Sequence, residues 1–198
     1  MHNHNVFINC PFDKKYQKIE DVIIFTVLDC RFKPRRAKES SASNNRLLKI
    51  QEIIKECHFA VHDISRTELD KKNKLPRFNM PLELGLFLGA QYFGGKSHDG
   101  KSCLIFDKES HRYEKFISDI KGHDVIGHEN KPKKVVSPIR DCLAEAANDQ
   151  KILPGAKIYD RYLAFLGWLK AQKIDRNDLS FGRFSHFISE FLATIELF

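Results

Sequence analysis

The run Phe59-Ala60-Val61-His62-Asp63-Ile64 is short, apolar and closed by an acid, and a polar excursion separates it from Asn79-Met80-Pro81-Leu82-Glu83-Leu84-Gly85-Leu86-Phe87-Leu88-Gly89-Ala90-Gln91-Tyr92-Phe93. The first stretch is too short for a helix and reads as a buried strand. The second is apolar on nearly every side from Pro81 to Phe93, the pattern of a helix packed deep against a sheet. Strand followed by helix is therefore the repeating unit, and it recurs in both directions. Upstream, Val6 to Cys10 predicts a strand closed by Pro11, and Ile19, Val22, Ile23, Thr26 and Val27 fall at helical spacing within Lys15 to Cys30. Phe32 to Ala37 predicts a second strand, Ser40 to Asn45 is rich in turn formers, and Leu47, Ile50, Ile53 and Ile54 mark an amphipathic helix. Downstream, Leu104 to Phe106 predicts a fourth strand, Arg112 to Ile117 a short helix, Asp124 to Gly127 a fifth strand at an edge, and Val135 to Ala147 another helix.

Only a crossover helix returns the chain to start the next parallel strand, so this alternation predicts a parallel sheet with helices on both faces. The expected fold is α/β: an open five-stranded parallel sheet in three α/β/α layers, flavodoxin-like in arrangement, over residues 1–150. From residue 151 the composition changes to two helical segments, Tyr159 to Gln172 and Phe184 to Phe198, separated by Asp175 to Ser180. Residues 151–198 are therefore expected to form a helical C-terminal extension that buries Tyr162, Phe165, Leu166, Leu169, Phe187 and Phe191 on one side.

The bulk properties agree with a folded domain. The chain has 198 residues, 42% of them hydrophobic with 16 Phe, and 30% charged, enough for one core under a soluble surface. No apolar run approaches the ~18 residues of a membrane span, and no signal-peptide core is present, so a cytoplasmic protein with no membrane partner is expected. Cys10, Cys30, Cys57, Cys103 and Cys142 are odd in number and scattered, which suits free thiols in a reducing compartment. The net charge of +7 favours anionic partners, whether nucleotide, nucleic acid or an acidic surface, and is equally the charge of a merely solvated exterior.

In open parallel sheets, ligands bind beyond the carboxyl ends of the strands, where the strand order reverses. That rule brings Asn9, Pro11, Phe12 and Asp13, the loop after Phe32, Asp63 to Arg66, and Asn79 to Glu83 to one rim. Asn79 is expected to cap the apolar helix with Pro81 in its first turn. Glu83 then sits where exposed amides favour an ionised carboxylate, on a helix whose Gly85 and Gly89 permit close approach to another backbone. Asp63 ends a buried strand beside Ser65 and Arg66, and a neighbouring carboxylate would raise its pKa toward that of a general acid. Lys33, Arg35, Arg36, Lys38, Arg46 and Lys49 cluster where they could meet phosphates or simply be solvated.

Two other patterns carry less. Gly95-Lys96-Ser97-His98-Asp99-Gly100-Lys101-Ser102 satisfies the phosphate-loop expression G-x-x-x-x-G-K-[ST], but it leaves a helix and enters a strand, the reverse of the order that aims amides at phosphate. A solvent-exposed turn is expected there. His2 with His4 lies at a terminus, and His58 with His62 spans a strand, where four-residue spacing does not converge two imidazoles, so no metal site is expected.

The segments 7–13 (Phe-Ile-Asn-Cys-Pro-Phe-Asp), 60–66 (Ala-Val-His-Asp-Ile-Ser-Arg) and 79–85 (Asn-Met-Pro-Leu-Glu-Leu-Gly) together resemble the nucleoside 2-deoxyribosyltransferase-like group and its TIR-domain relatives over roughly the first 110 residues. The resemblance implies that Glu83 attacks or stabilises the anomeric carbon of a nucleoside, that Asp63 contacts base or sugar, and that Pro11 and Phe12 line a base pocket. Their place on the same rim and in the basic cluster adds Asn9, Asp13, Arg35, Arg36, Ser65, Arg66, Asn79 and Met80 as expected substrate-binding residues. The transferases commonly carry Gly-Thr shortly before this glutamate, where this chain has Asn79, Met80 and Pro81. The basic loop suits a phosphorylated substrate. TIR-like relatives cleave NAD, often in bacterial immune signalling. The resemblance thus implies cleavage or transfer at the N-glycosidic bond of a nucleotide or nucleoside, NAD hydrolysis foremost, with no separate cofactor, by a homo-oligomer or with a defence-system partner. Two alternatives remain at this point: a nucleotide-sensing or scaffold module without turnover, and a nucleic-acid-binding protein that uses the basic loops.

Overall fold

The computed structural model of the chain describes residues 4–37, 45–70 and 74–196. Five strands, β1 (Asn5–Asn9), β2 (Lys33–Arg35), β3 (Phe59–Asp63), β4 (Ser102–Asp107) and β5 (Val125–Gly127), form one sheet in the order β2-β1-β3-β4-β5. Every neighbouring pair is parallel. The crossovers are α1 (Gln17–Asp29), α2 (Arg46–Glu56), α3 (Asn79–Phe93) and two 3₁₀ turns, Arg112–Lys115 and Ser118–Ile120, in place of the short helix expected there. α4 (Lys133–Ala147), α5 (Gly155–Ala171) and α6 (Phe181–Glu196) follow. The expected turn at Ser40 to Asn45 and the basic residue Lys38 lie, except for Asn45, outside the described residues.

Strand alternation sorts the core by face. Val6, Ile8, Phe59, Val61 and Phe106 point to α1 and α4, whereas Phe7, Ala60 and Phe87 join Ile50, Ile53 and Ile54 of α2 on the other side. The expected three layers are present, and α5 and α6 add a further layer by packing outside α1 and α4. Tyr162, Phe165, Leu169 and Phe191 are buried as the helical spacing predicts, and Phe187 is partly buried. Leu166 is instead exposed, because Ile158, Tyr162, Phe165 and Leu169 form the inward stripe of α5 and Leu166 falls outside it.

The phosphate-loop look-alike has a structural use. Gly95 and Gly100 adopt positive φ (67° and 75°), open to glycine without strain, and the turn between them is largely exposed as expected. Lys101 departs from that expectation: it is buried, and its Nζ donates to the carbonyls of Ile54 (2.6 Å) and Cys57. A lysine there satisfies the orphan carbonyls and negative dipole end of α2.

Candidate functional site

The strand order reverses between β1, whose helix crosses to β2 on one side, and β3 on the other, so the crevice lies over the ends of these two strands. Glu83 reaches this end from α3 and is only 3% exposed. Burial pushes its carboxyl above the usual range, and the Arg46 guanidinium, 3.4 Å from Oε1, opposes that rise. Arg46 is held at the start of α2, where Asn45 Oδ1 accepts from the amides of Leu47 (3.0 Å) and Leu48 (3.3 Å). Two guanidiniums lie against the Phe12 ring, Arg36 at 4.1 Å and Arg46 at 5.4 Å from its centre. Arg36 is ion-paired to buried Glu20 at 2.5 Å and also lies 5.8 Å from the Phe181 ring, so the start of α6 reaches this rim.

The mounting of Glu83 differs from the expectation. Phe78, not Asn79, occupies the N-cap, and Leu82 N already donates to Phe78 O (2.9 Å). Glu83 therefore falls in the second turn, past the free amides. Its countercharge comes from Arg46 rather than from the helix end. Asn79 is exposed and caps nothing. Gly85 and Gly89 approach no neighbouring backbone, since a Cβ on either would meet nothing within 4 Å.

Asn9 ties the two strands to α3. Its Nδ2 lies 2.8 Å from His62 Nδ1 and donates to Met80 O at 3.0 Å. Burial pushes the His62 pKa down to about 3, so the ring is neutral, with Nδ1 accepting and the proton on Nε2. Phe7 and Phe87 present edge-on contacts to that ring, 5.6 and 5.3 Å away. Among the described residues, Asn9 Oδ1 and Ser65 Oγ are buried without a hydrogen-bond partner, unusual for polar atoms and placed at the two strand ends.

Asp63 occupies a different environment. His62 faces α3, so alternation turns Asp63 to the α1 side, away from Glu83. Asp63 is fully buried. Its Oδ2 accepts from Tyr16 OH (2.7 Å), its Oδ1 from the Ser65 amide (2.9 Å), and His128 Nε2 stands 3.1 Å from Oδ2 without good alignment. Burial and the Asp63 charge push the Tyr16 hydroxyl well above its ordinary pKa, so it remains a donor. The His128 tautomer is consistent: Nδ1 accepts from Asn130 N (2.9 Å), which leaves the proton on Nε2, toward Asp63. In this setting Asp63 anchors Tyr16 and the Ser65 turn with His128 packed alongside, and proton donation to a substrate would require the cluster to open.

The remaining expected residues divide in the same way. Asp13 and Arg66 clasp the loops after β1 and β3 through a two-point contact, Nε to Oδ2 at 2.9 Å and Nη2 to Oδ1 at 3.2 Å. Partial burial raises the Asp13 pKa, but the Arg66 hydrogen bonds and charge outweigh it and hold the carboxyl below its usual range. A cleft of ≈ 330 Å³ opens at this clasp, with Lys14, Lys15 and Arg77 on its walls. Pro11 is buried under the rim. Arg35 is not at the site: its guanidinium pairs with Glu56, whose carbonyl accepts from Asn5 at the opposite end of β1. Adjacent residues of a strand point to opposite faces, which is why Arg36 reaches the rim and Arg35 does not.

Sequence reasoning missed Tyr16, His128 and the pair Asp107–Arg112. Asp107 ends β4 fully buried, receives Arg112 Nε (2.9 Å) and Nη2 (2.5 Å) on Oδ1, and has its pKa raised by burial against the pull of that guanidinium. Arg112 also donates to Ile64 O (3.2 Å) and Thr67 Oγ1 (3.1 Å), fixing the loop after β3. The strand-end rule could have found Asp107 and His128, since each follows the end of a predicted strand. Among the described residues, no group of three or more His, Cys, Asp or Glu is placed to hold a metal ion, and no helix is long and apolar enough to cross a membrane. Compared with known proteins, the chain matches no family model, no curated protein and no solved structure.

Proposed function

We propose that this chain breaks or transfers the N-glycosidic bond of a nucleotide, with NAD the first substrate to test and Glu83 the catalytic carboxylate. The observation that carries the reading is a buried carboxylate at the switch point, countered by a guanidinium that faces solvent: the Arg46 side chain is 44% exposed, that of Glu83 4%. Breaking the bond between the anomeric carbon and the base nitrogen sends the electron pair to the base and leaves positive charge on the sugar, which a fixed anion stabilises by charge or by bonding. Water or a second acceptor then takes the anomeric carbon. Arg46 can exchange its contact with the carboxylate for one with a phosphate while Arg36, paired to Glu20, keeps positive charge at the rim, Phe12 offers a face for the base, and Asn9 Oδ1 and Ser65 Oγ offer unspent hydrogen bonds. Nicotinamide leaves NAD without needing a proton, so the enclosure of Asp63 is no obstacle; here Asp63 is a positioning residue.

A second reading, a nucleotide sensor without turnover, is supported by the Arg46–Glu83 pair, which covers the carboxylate. One experiment separates them. The protein is incubated with NAD, NADP and a nucleotide panel, released base is followed by chromatography, and binding is measured alongside. Glu83→Gln keeps size and removes charge, so turnover should fall about a hundredfold, some 3 kcal/mol of transition-state stabilisation, while nucleotide affinity changes little. Folded Glu83→Gln with wild-type turnover overturns the glycosidase; nucleotide binding with no base released by the wild type favours the sensor.

A further inference from the structure

We infer that the outward face of α3 is a surface on which two copies of this chain pair about a two-fold axis. The inference is independent of the reaction proposed above. α3 contains one charged residue, Glu83, and it points inward with Met80, Leu84, Phe87 and Leu88. At 100° per residue the opposite side carries Phe78 from the N-cap, then Leu82, Gly85, Gly89, Tyr92 and Phe93. These side chains are bare: Phe78 is 66% exposed, Leu82 56%, Tyr92 60% and Phe93 89%. A surface helix ordinarily turns polar side chains to water, whereas the row from Leu82 to Phe93 on this face offers only the Tyr92 hydroxyl, with exposed Asn79 in the first turn to one side of it.

Area and charge indicate the occupant. At about 200 Å² for a large side chain, those four exposures leave about 500 Å² of mostly apolar surface, near the upper end for a monomer. Two such faces would bury about 1,000 Å² together, the least that a specific interface requires, before Pro81, Leu86 and the glycines between them are added. A chain of net charge +7 repels its own copies, so self-association needs a contact without Lys or Arg, and this face has none. The cations nearest to it in sequence, Arg77 before Phe78 and Lys96 after Phe93, stand beyond its two ends. The relief is also self-complementary. Bulky residues stand at both ends, and Gly85 and Gly89 leave a hollow at the centre where an added Cβ would meet nothing within 4 Å. Crossing two such helices in antiparallel fashion sets Gly85 of one against Gly89 of the other and Leu82 against Tyr92, an isologous contact.

The test reads mass rather than turnover. Wild type, Leu82→Lys and Phe93→Lys are compared by analytical ultracentrifugation over a dilution series, with circular dichroism to confirm that each is folded. Both residues are exposed, so the variants should fold, and each places like charge on both sides of the two-fold contact. Wild type should form dimers, and either lysine should weaken them at least about tenfold. Leu82→Cys/Tyr92→Cys, which leaves the hollow at Gly85 and Gly89 open, should form a disulfide between position 82 of one copy and position 92 of the other under mild oxidation, identified by mass spectrometry. Wild type that stays monomeric throughout, lysine variants that associate like wild type, or a dimer lacking the 82–92 cross-link each overturn the inference.

Discussion

α1 and α3 are both apolar around most of their circumference, yet one is sealed and the other half bare. Every residue of α1 from Ile19 to Val27 is buried, because the sheet covers one side while α5 and α6 cover the other. The Phe25 ring meets Tyr162 at 5.6 Å, Phe165 at 5.7 Å and Phe191 at 6.5 Å. The acids on that covered surface are answered by guanidiniums from distant segments, Glu20 by Arg36 and Asp21 by Arg176 at 2.7 Å. α3 has the same sheet beneath it and no second layer from its own chain among the described residues. An apolar circumference therefore announces that a helix is to be covered, without saying by what. For α1 the cover arrives more than a hundred residues later; for α3 we look to another molecule.

The largest difference between the two helices should appear on truncating their outer contacts. Phe165 is fully buried against α1, so Phe165→Ala should cost about 3–5 kcal/mol of unfolding free energy from lost burial and the cavity left behind. Phe93→Ala, on the bare face of α3, should change the stability of the monomer by no more than about 0.5 kcal/mol. Urea titration at a dilution where the protein is monomeric measures both. Equal costs would mean that the two outer faces are not differently covered.

A smaller effect separates the acids of these helices. Burial, opposed by Arg176 and Arg36, raises the Asp21 pKa from 3.8 to about 6. The folded state then holds this proton more tightly than the unfolded chain, so the contribution of Asp21 is full below about pH 4, declines as pH rises through about 6, and is flat above. Relative to Asp21→Asn, which does not titrate, wild type should lose on the order of 2 kcal/mol between those limits. Wild type and variant running parallel across that window would show that Asp21 stays charged. The Glu83 pKa shifts in the same direction by the same cause.

How much of this was legible beforehand follows from range. The five strands and their helices came from local periodicity, and the parallel sheet from alternation alone. Glu83 emerged from the rule that sites lie past strand ends. Contacts between segments were invisible: Tyr16 meets Asp63 across 47 positions and Arg176 meets Asp21 across 155, and nothing near either partner in the sequence signals the other. Errors of a single residue mattered as well. Strand parity sends Arg35 to Glu56 and Arg36 to the rim, and puts Asp63 on the face opposite Glu83, so two residues assigned to one site by their position in the chain are separated by geometry. The bare face of α3 was hidden for a further reason. Apolar content on every side reads the same whether the cover is a neighbouring helix or another molecule.

A small effect is expected at Gly85, and its sign should depend on concentration. Gly85 lies inside α3 with no positive φ, and an added Cβ would meet nothing within 4 Å, so Gly85→Ala removes backbone freedom from the unfolded chain without creating a clash. In the monomer the exchange should stabilise by about 0.5–1 kcal/mol. If two copies cross at Gly85 and Gly89, the same methyl fills the hollow that lets their backbones approach, and the dimer should weaken. Thermal unfolding at low concentration and ultracentrifugation at high concentration would then move in opposite directions for one substitution. A bare but unused helix face predicts only the first change. α1 offers the control: Thr26 is fully buried and donates to Val22 O at 2.7 Å, so Thr26→Ala should lower stability at every concentration and leave association alone.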